Sequence, residues 1–546
     1  MKNKREENGE KLTPQRIAAS REGMVSTAQE RATGAGAEIL ADGGNAVDAA
    51  VAAALALCVC EPQACGIGGQ TMMMIHLAEE RRNIALDGSS RAPNRAAGEL
   101  FDRKGTRLRG WRATTVPSTP AVLAYAARTY GRLPLSRLLE PAIRLAGEGY
   151  HITELQHRLQ VREEAKWPRG NAKDFFLDGG KPWAPGSLFR QPVLADTLRR
   201  MAKEGVEDFY QGEIGRRILA DMEKHEGLIQ ADDLAHIPWP IERRPVSCRF
   251  EDMRILSFPP PGAGRTLVEM FNIIANFPEK QRNLDTCKGA VLLAEVIRRA
   301  QLDRRDRPYD PNLYPQVEDR KMTGQDYARL VARQIRARLR AKGPSRPLAG
   351  GEEGPPVREP GGGETTHLSV MDRQGNTVGL TQSIERVYGS FAVAEELGFI
   401  YNNYMSAFDY EDMTHPYYIR PNGVPWASVT PSVVFRGRRP TVVIGSPGSE
   451  RITSVVFQVL LRLRRQSPID AVVAPRLHAS ATGRVSFEAP WMRDDIPAAL
   501  ERRGFRIDPR EAFSFHLGCV QLVAREGQTL IGVADPRRDG SARGPE

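Results

Sequence analysis

The sequence predicts an α+β fold, or a layered α/β sandwich, and three observations carry that expectation. Helical and strand patterns mix along the chain without regular βαβ alternation. The stretches 366–371 and 377–384 alternate apolar and polar residues like paired strands. Val47–Cys58, by contrast, is apolar on nearly every side and alanine-rich, which describes a buried, closely packed helix.

In chain order, residues 1–20 read as a charged, disordered lead-in. Met1–Glu10 has no apolar core and is not a signal peptide. A helical pattern runs from Ala28 to Leu40 and is broken by Asp42-Gly43-Gly44-Asn45. Asn45 is a good N-cap, and Asp48 at the third helical position answers the exposed amides. Gly66-Ile67-Gly68-Gly69 fits either a tight turn or an anion-cradling loop. Met72–Leu77 and Asn83–Asp87 form a strand pair. Residues 120–230 are mostly helical, including Leu135–Glu148 and Leu194–Glu204. The Pro/Gly loop Phe258–Gly264 precedes a helix from Thr266, and 288–340 is helical and charged. Residues 341–364 are dominated by Gly and Pro, bury too little to fold, and are expected to be mobile. Thr366–Met371 and Thr377–Ile384 then pair as a hairpin through Asp372–Asn376. Strands near Ser432–Phe435 and Thr441–Ile444 and a helix, Thr453–Arg465, follow. There are no internal repeats.

Composition limits the function classes. The 546 residues carry a net charge of +10, which suits an anionic substrate or simply a solvated surface. No basic run is interleaved with aromatics, so nucleic acid is not the expected partner. The longest apolar run, Ala46–Cys60, contains Asp48 and is too short to span a bilayer. Six scattered cysteines are not a disulfide framework. Cys58, Cys60 and Cys65 lack a zinc-spaced partner set and read as small buried hydrophobes. A cytoplasmic location is expected, unless a leader has been lost. No metal or organic cofactor is expected.

The chemistry concentrates at Thr365, where the Gly/Pro tract meets the hairpin. A threonine hydroxyl needs an adjacent base. A terminal α-amine, with an unperturbed pKa of about 7.7–8.0, can serve if the chain is cut just before Thr365. With the hairpin loop centred on Gln374, Thr365 faces Ser383, whose hydroxyl could tune that amine. A one-residue change of register would remove the pairing, and the bland alternative is that Thr365-Thr366 merely starts a strand. Ile444–Arg451 lies between a strand and a helix. Its Gly448 and Ser449 amides are candidate oxyanion donors, although such a loop also serves as a turn.

These residues resemble the γ-glutamyltranspeptidase family of N-terminal-nucleophile hydrolases over roughly residues 22 to 541. The markers are Gly43–Ala50, Glu61-Pro62, Gly66–Gly69, Leu86-Asp87, Pro259–Pro261, Thr365–His367, Asp372, Gly375-Asn376, Asn402-Asn403, Gly445–Gly448 and Ala534–Arg538. The resemblance implies a four-layer αββα sandwich and autocleavage before Thr365. It divides the chain into a large piece, 21–364 with its tract 341–364, and a small piece, 365–546, that together make one composite domain. It also implies an acyl-Thr365 intermediate passed to water, an amino acid or a peptide. Ser383 stands where the family has a second threonine, and Gly448-Ser449 where it has Gly-Gly.

The substrate pocket departs from the glutathione-type pattern. An arginine that holds the donor carboxylate is Ser89 here, with Arg91 two residues on. An asparagine becomes Glu385, as in the branch acting on poly-γ-glutamate. The residues that hold the donor amine become Tyr404 and Ala407, and a Ser-Ser pair becomes Ala427-Ser428. Arg91, Glu385, Asn403, Tyr404 and Ser428 are the substrate-binding candidates. Arg91 and Glu385 are expected to form either a rearranged clamp or an ion pair without a ligand. Each missing charge-assisted bond is worth about 1.5–3 kcal/mol. The leading expectation is a γ-glutamyltransferase-like enzyme acting on a small amide or peptide. The alternatives are an acylase for a dicarboxylic monoamide on the same scaffold, and a non-catalytic anion-binding or structural relative.

Overall fold

The computed structural model describes residues 14–101, 107–313, 321–341 and 363–545. Residues 1–13 of the expected lead-in and 342–362 of the expected mobile tract lie outside the described residues. Within the lead-in, Pro14–Arg16 form a 3-10 turn and Ile17–Ser20 a strand, so disorder to residue 20 is corrected. That strand is held because it pairs with Leu530–Val533.

Two antiparallel sheets of seven strands stack face to face. Their strands are β1 (Ile17–Ser20), β2 (Gly23–Thr27), β3 (Gln70–Leu77), β4 (Arg82–Gly88), β5 (Ile241–Arg243), β6 (Val246–Phe250) and β7 (Met253–Ser257). They continue as β8 (Gly363–Asp372), β9 (Thr377–Arg386), β10 (Ser432–Arg436), β11 (Arg439–Gly445), β12 (Gln521–Glu526), β13 (Thr529–Ala534) and β14 (Ser541–Arg543). One sheet runs β1-β13-β12-β11-β10-β7-β6 and the other β14-β2-β8-β9-β3-β4-β5. Side-chain alternation assigns each face. On β3, Met72 and Met74 enter the layer between the sheets with Met24, Met371, Val443 and Val523, whereas Met73 and Ile75 meet helices. Unbranched methionines fill the irregular gap between twisted sheets. Truncating such a side chain to alanine costs about 2–5 kcal/mol.

Helices cover both outer faces. On the β8–β9 sheet lie α1 (Glu30–Ala41), α2 (Ala46–Cys60), α3 (Leu135–Glu148) and α4 (Pro192–Glu204). On the other lie α5 (Gly264–Ile274), α6 (Cys287–Asp306), α7 (Gln325–Arg340) and α8 (Arg451–Arg462). The result is the αββα sandwich. All fifteen residues of α2 are buried, and Asn45 and Asp48 form its capping box as the sequence requires. Cys58 and Cys60 within it and Cys65 just after it are buried. Gly66–Gly69 takes the structural reading: a Cβ on Gly68 would lie 2.2 Å from the Ile400 carbonyl oxygen, and one on Gly69 would lie 2.4 Å from that of Ser383. No helix among the described residues is long and apolar enough to cross a membrane.

Candidate active site

The site is built at the end of β8 and β9, where the hairpin register breaks. From Met371↔Thr377 to Thr366↔Gln382 the pairing centres on Gln374, as the loop predicts. It then shifts, and Glu364 faces Glu385. Ser383 and Ile384 therefore stand opposite the single residue Thr365, which corrects the expected one-to-one Thr365–Ser383 pair. Such a bulge re-aims backbone groups. Here the Ser383 hydroxyl donates to the Glu364 carbonyl at 2.6 Å, on the peptide bond that precedes Thr365. The Glu385 amide donates to Ser383 Oγ at 2.8 Å, which fixes the direction of the hydroxyl proton.

A buried charge cluster holds the rest of that peptide. The Thr365 amide donates to its neighbour's Glu364 carboxylate at 3.1 Å. Arg538 pairs with the same carboxylate and donates to the Thr365 carbonyl at 3.1 Å. Glu61 lies 3.5 Å from the Arg538 guanidinium. Burial pushes the Glu61 carboxyl up to about 7, against the pull of Arg538. Arg16, from the segment expected to be disordered, donates to the carbonyls of Asp535, Arg538 and Gly540 at 3.1, 2.7 and 3.3 Å and so fixes the loop that presents Arg538. Behind it, Arg537 pairs with Glu488 and Asp535, and Arg476 with Asp535, all fully buried.

The loop that carries the candidate oxyanion donors comes from the other sheet. β11 ends at Gly445, against which the His367 ring packs; a Cβ there would lie 2.3 Å from Cε1. His367 bonds Thr381 at 2.8 Å and Ser369 at 3.1 Å, and burial lowers its pKa to about 3. Gly448 (φ 126) and Ser449 (φ 55) then turn the chain into α8. Among the described residues neither their amides nor any side chain forms a bond that would use those N–H groups up. The place of a Cβ on Gly363 is 3.1 Å from Ser449 Cβ, so the loop lies against the segment leading to Thr365.

The substrate-binding candidates divide. Tyr404 is buried, its pKa raised by burial, and its hydroxyl lies among Glu385, Ser383 and Gln70. Asn403 accepts from the Arg386 amide at 3.1 Å and donates to the Leu108 carbonyl at 2.9 Å, forming a strut beside the site. Glu385 is half-buried in the left-handed region (φ 79), and burial raises its carboxyl pKa despite Arg386 beside it. Arg91 instead donates to the Asn422 carbonyl at 3.4 Å. Among the described residues no ion pair joins it to Glu385, so the two do not form a mutual pair. Ser89 is bonded to Asp87 at 2.6 Å. Ser428 is half-buried beside Ala427, whose carbonyl accepts from Arg304 at 2.8 Å; no bond joins Ser428 to Thr365 or Ser383.

Arg538, Glu61 and Glu364 were not among the candidates read from the sequence. The signal available was charge in apolar surroundings: Glu61 follows the buried run of α2, and Arg538 ends a strand-exit motif.

The γ-glutamyltranspeptidase family model matches residues 32–544. A glutathione hydrolase proenzyme of Escherichia coli is 31% identical over 95% of this chain and 91% of its own length. An acylase ACY 1 proenzyme of Pseudomonas sp. strain V22 is 32% identical over 96% of this chain and 94% of its own. The crystal structure of cephalosporin acylase from Bacillus halodurans superposes with a TM-score of 0.87 at 29% identity, covering 98% of both chains. A match over nearly the whole chain, with the hairpin, the bulge and the glycine loop assembled at one point, leads to one conclusion: this chain belongs to the γ-glutamyltranspeptidase family.

Proposed function

We propose that the chain cuts itself between Glu364 and Thr365, and that the freed threonine then takes an acyl group from a γ-glutamyl-type amide and passes it to water or an amine. The observation that carries this reading is the Ser383 hydroxyl on the Glu364 carbonyl. It is a donor aimed at the oxygen where charge would build during the cut. Thr365 Oγ attacks that carbonyl carbon and the C–N bond breaks. The nitrogen takes the hydroxyl proton, leaving an ester that water hydrolyses. The new α-amine then serves as base for the same hydroxyl. In turnover, the Gly448 and Ser449 amides donate to the oxyanion, and collapse of the tetrahedral adduct expels the amine of the donor.

A second reading, an acylase for a dicarboxylic monoamide, is favoured by one specific observation. Tyr404 and Ala407 stand where the residues that hold the donor amine are expected, and a dicarboxylic monoamide has no such amine to hold. The acylase names among the relatives agree with it. Comparing kcat/KM for glutathione, glutaryl amides and γ-glutamyl oligomers separates the two readings. Efficient glutathione turnover rejects the acylase reading. Turnover of glutaryl amides alone rejects the first.

A further inference from the structure

We infer that Glu450 and His478 are positioning residues for the oxyanion: as a charged pair they hold the first turn of α8, and with it the Gly448 and Ser449 amides, where those amides donate. The inference rests on the reading of Thr365 as the nucleophile and adds one requirement to it, a proton on His478.

Glu450 directly follows Ser449 and is the N-cap of α8. His478 stands on the short strand Leu477–Ala479. Glu450, Ser454 and Gln458, spaced four residues apart and so on one face of the helix, all reach this strand. Gln458 donates to the Leu477 carbonyl at 2.7 Å and accepts from the Leu477 amide at 3.1 Å. Ser454 bonds His478 Nδ1 at 2.9 Å. Glu450 Oε1 lies 3.8 Å from His478 Nε2. The Gln458 end of this seam is neutral and closed. The end next to Ser449 depends on the imidazole.

Hydrogen bonding sets what that imidazole must carry. The Ser454 hydroxyl has one proton and gives it to the Arg451 carbonyl at 2.9 Å, so Nδ1 is the donor to Ser454 Oγ. A neutral ring then turns the Nε2 lone pair toward the Glu450 carboxylate, which sets acceptor against acceptor. A charged ring turns an N–H there. His478 is buried and Nε2 has no hydrogen-bond partner; among the described residues Glu450 is the one carboxylate paired with it. The other charged or titratable groups around the pair are Arg451 on α8, Arg304 on α6, His516, and Arg510 with its partner Asp508. Burial, then Arg451 and Arg510, lower the His516 pKa to about 3, so that ring stays neutral. Burial alone would raise the Glu450 carboxyl, but His478, Arg451 and Arg304 hold it down at about 2.

Without the proton, the first turn of α8 loses this tie and the two amides leave the oxyanion position. Those amides act in the transition state, so the loss falls on kcat and spares KM. Two protonations then frame turnover with opposite signs. The Thr365 amine must be neutral, which favours high pH, and His478 must be charged, which favours low pH.

The test measures kcat against pH on the self-processed enzyme, with whichever of γ-glutamyl and glutaryl p-nitroanilide it turns over. It also follows the His478 ring by 13C NMR, as the one of nine histidine signals that His478→Gln removes. The inference predicts that kcat falls on the alkaline side at the pH where the His478 signal titrates. In Glu450→Gln the limb and the signal move together, about 1–3 pH units lower. At the wild-type optimum that variant loses about tenfold in kcat with KM little changed. His478→Gln lowers kcat throughout and abolishes the alkaline limb. Where a variant fails to fold, the coincidence of limb and signal in the wild-type enzyme decides. A cut, active enzyme whose alkaline limb is absent or lies away from the His478 titration overturns the inference alone. So does a Glu450→Gln enzyme with unchanged kcat, or with its change confined to KM. An uncut chain that turns over neither donor overturns the reading of Thr365, and this inference with it.

Discussion

Ser383 meets the Glu364 carbonyl because the ladder slips by one residue at Thr365, and the chemistry at that point depends on single hydroxyls and carboxyls. The hydroxyl accepts from the Glu385 amide and donates to the Glu364 carbonyl. Ser383→Ala removes that donor and is expected to slow self-cleavage by about 10²–10³-fold, whereas Ser383→Thr keeps the cut; following the 546-residue chain over time on a denaturing gel checks both. Glu61 supplies a pH prediction. Its folded pKa is about 7 against an ordinary value of 4.5, so between these values the folded state holds a proton that the unfolded state has lost. The stability this contributes is full below pH 4.5 and is lost as pH rises through 7. Relative to Glu61→Gln, the uncut Thr365→Ala chain is expected to lose about 3 kcal/mol between those limits, measured by urea unfolding with Thr365→Ala as the common background. The closeness of Thr365 and Ser383 was legible in the sequence because the centre of the hairpin loop sets which residues meet across it. Glu61, Glu364 and Arg538 were not, because they come from three distant segments that meet at one buried point.

At the scale of elements, two sheet ends must meet. The β11–α8 loop reaches the β8–β9 hairpin because Gly445 has no side chain where the His367 ring packs. Gly445→Ala forces one of two buried groups to move. It should cost about 1–3 kcal/mol and lower kcat by displacing Gly448 and Ser449. Denaturant unfolding and turnover on the same preparation check this. Ser449 holds a left-handed φ that glycine adopts freely, so Ser449→Gly keeps the amide and should keep turnover within a few-fold. The chain leaving β9 also carries left-handed residues, at Glu385, Tyr388 and Phe391. Such conformations persist where the surroundings over-determine them, as at ligand sites. The hairpin and its loop centre were legible from alternation and Asp372–Asn376. The bulge was not, because period-2 patterning reports faces and carries no information about one inserted residue. Ile17–Ser20 was missed for a similar reason: a four-residue strand next to a charged lead-in acquires its structure only from β13.

For the whole molecule, the sandwich brings residues far apart in sequence into one rim: Arg16, Glu61, Thr365, Gly448 and Arg538. The α+β class was legible because the buried helix α2 and the alternating hairpin carry different periods. The order of the strands was not, since no sequence pattern specifies which alternating segments pair across hundreds of residues. The Arg476–Asp535–Arg537–Glu488 cluster anchors the loop that presents Arg538. Removing one partner strands a buried charge, so Glu488→Gln is expected to destabilise by about 3–5 kcal/mol and to slow the cut through Arg538, as seen by unfolding and by gel. The measurement that tests the central claim most directly is the mass of the purified protein, native and denatured, with N-terminal sequencing of each chain. The account predicts two chains that stay associated, one beginning at Thr365, and a single uncut chain for Thr365→Ala. A wild-type chain that remains whole on long incubation and behaves like Thr365→Ala would contradict it.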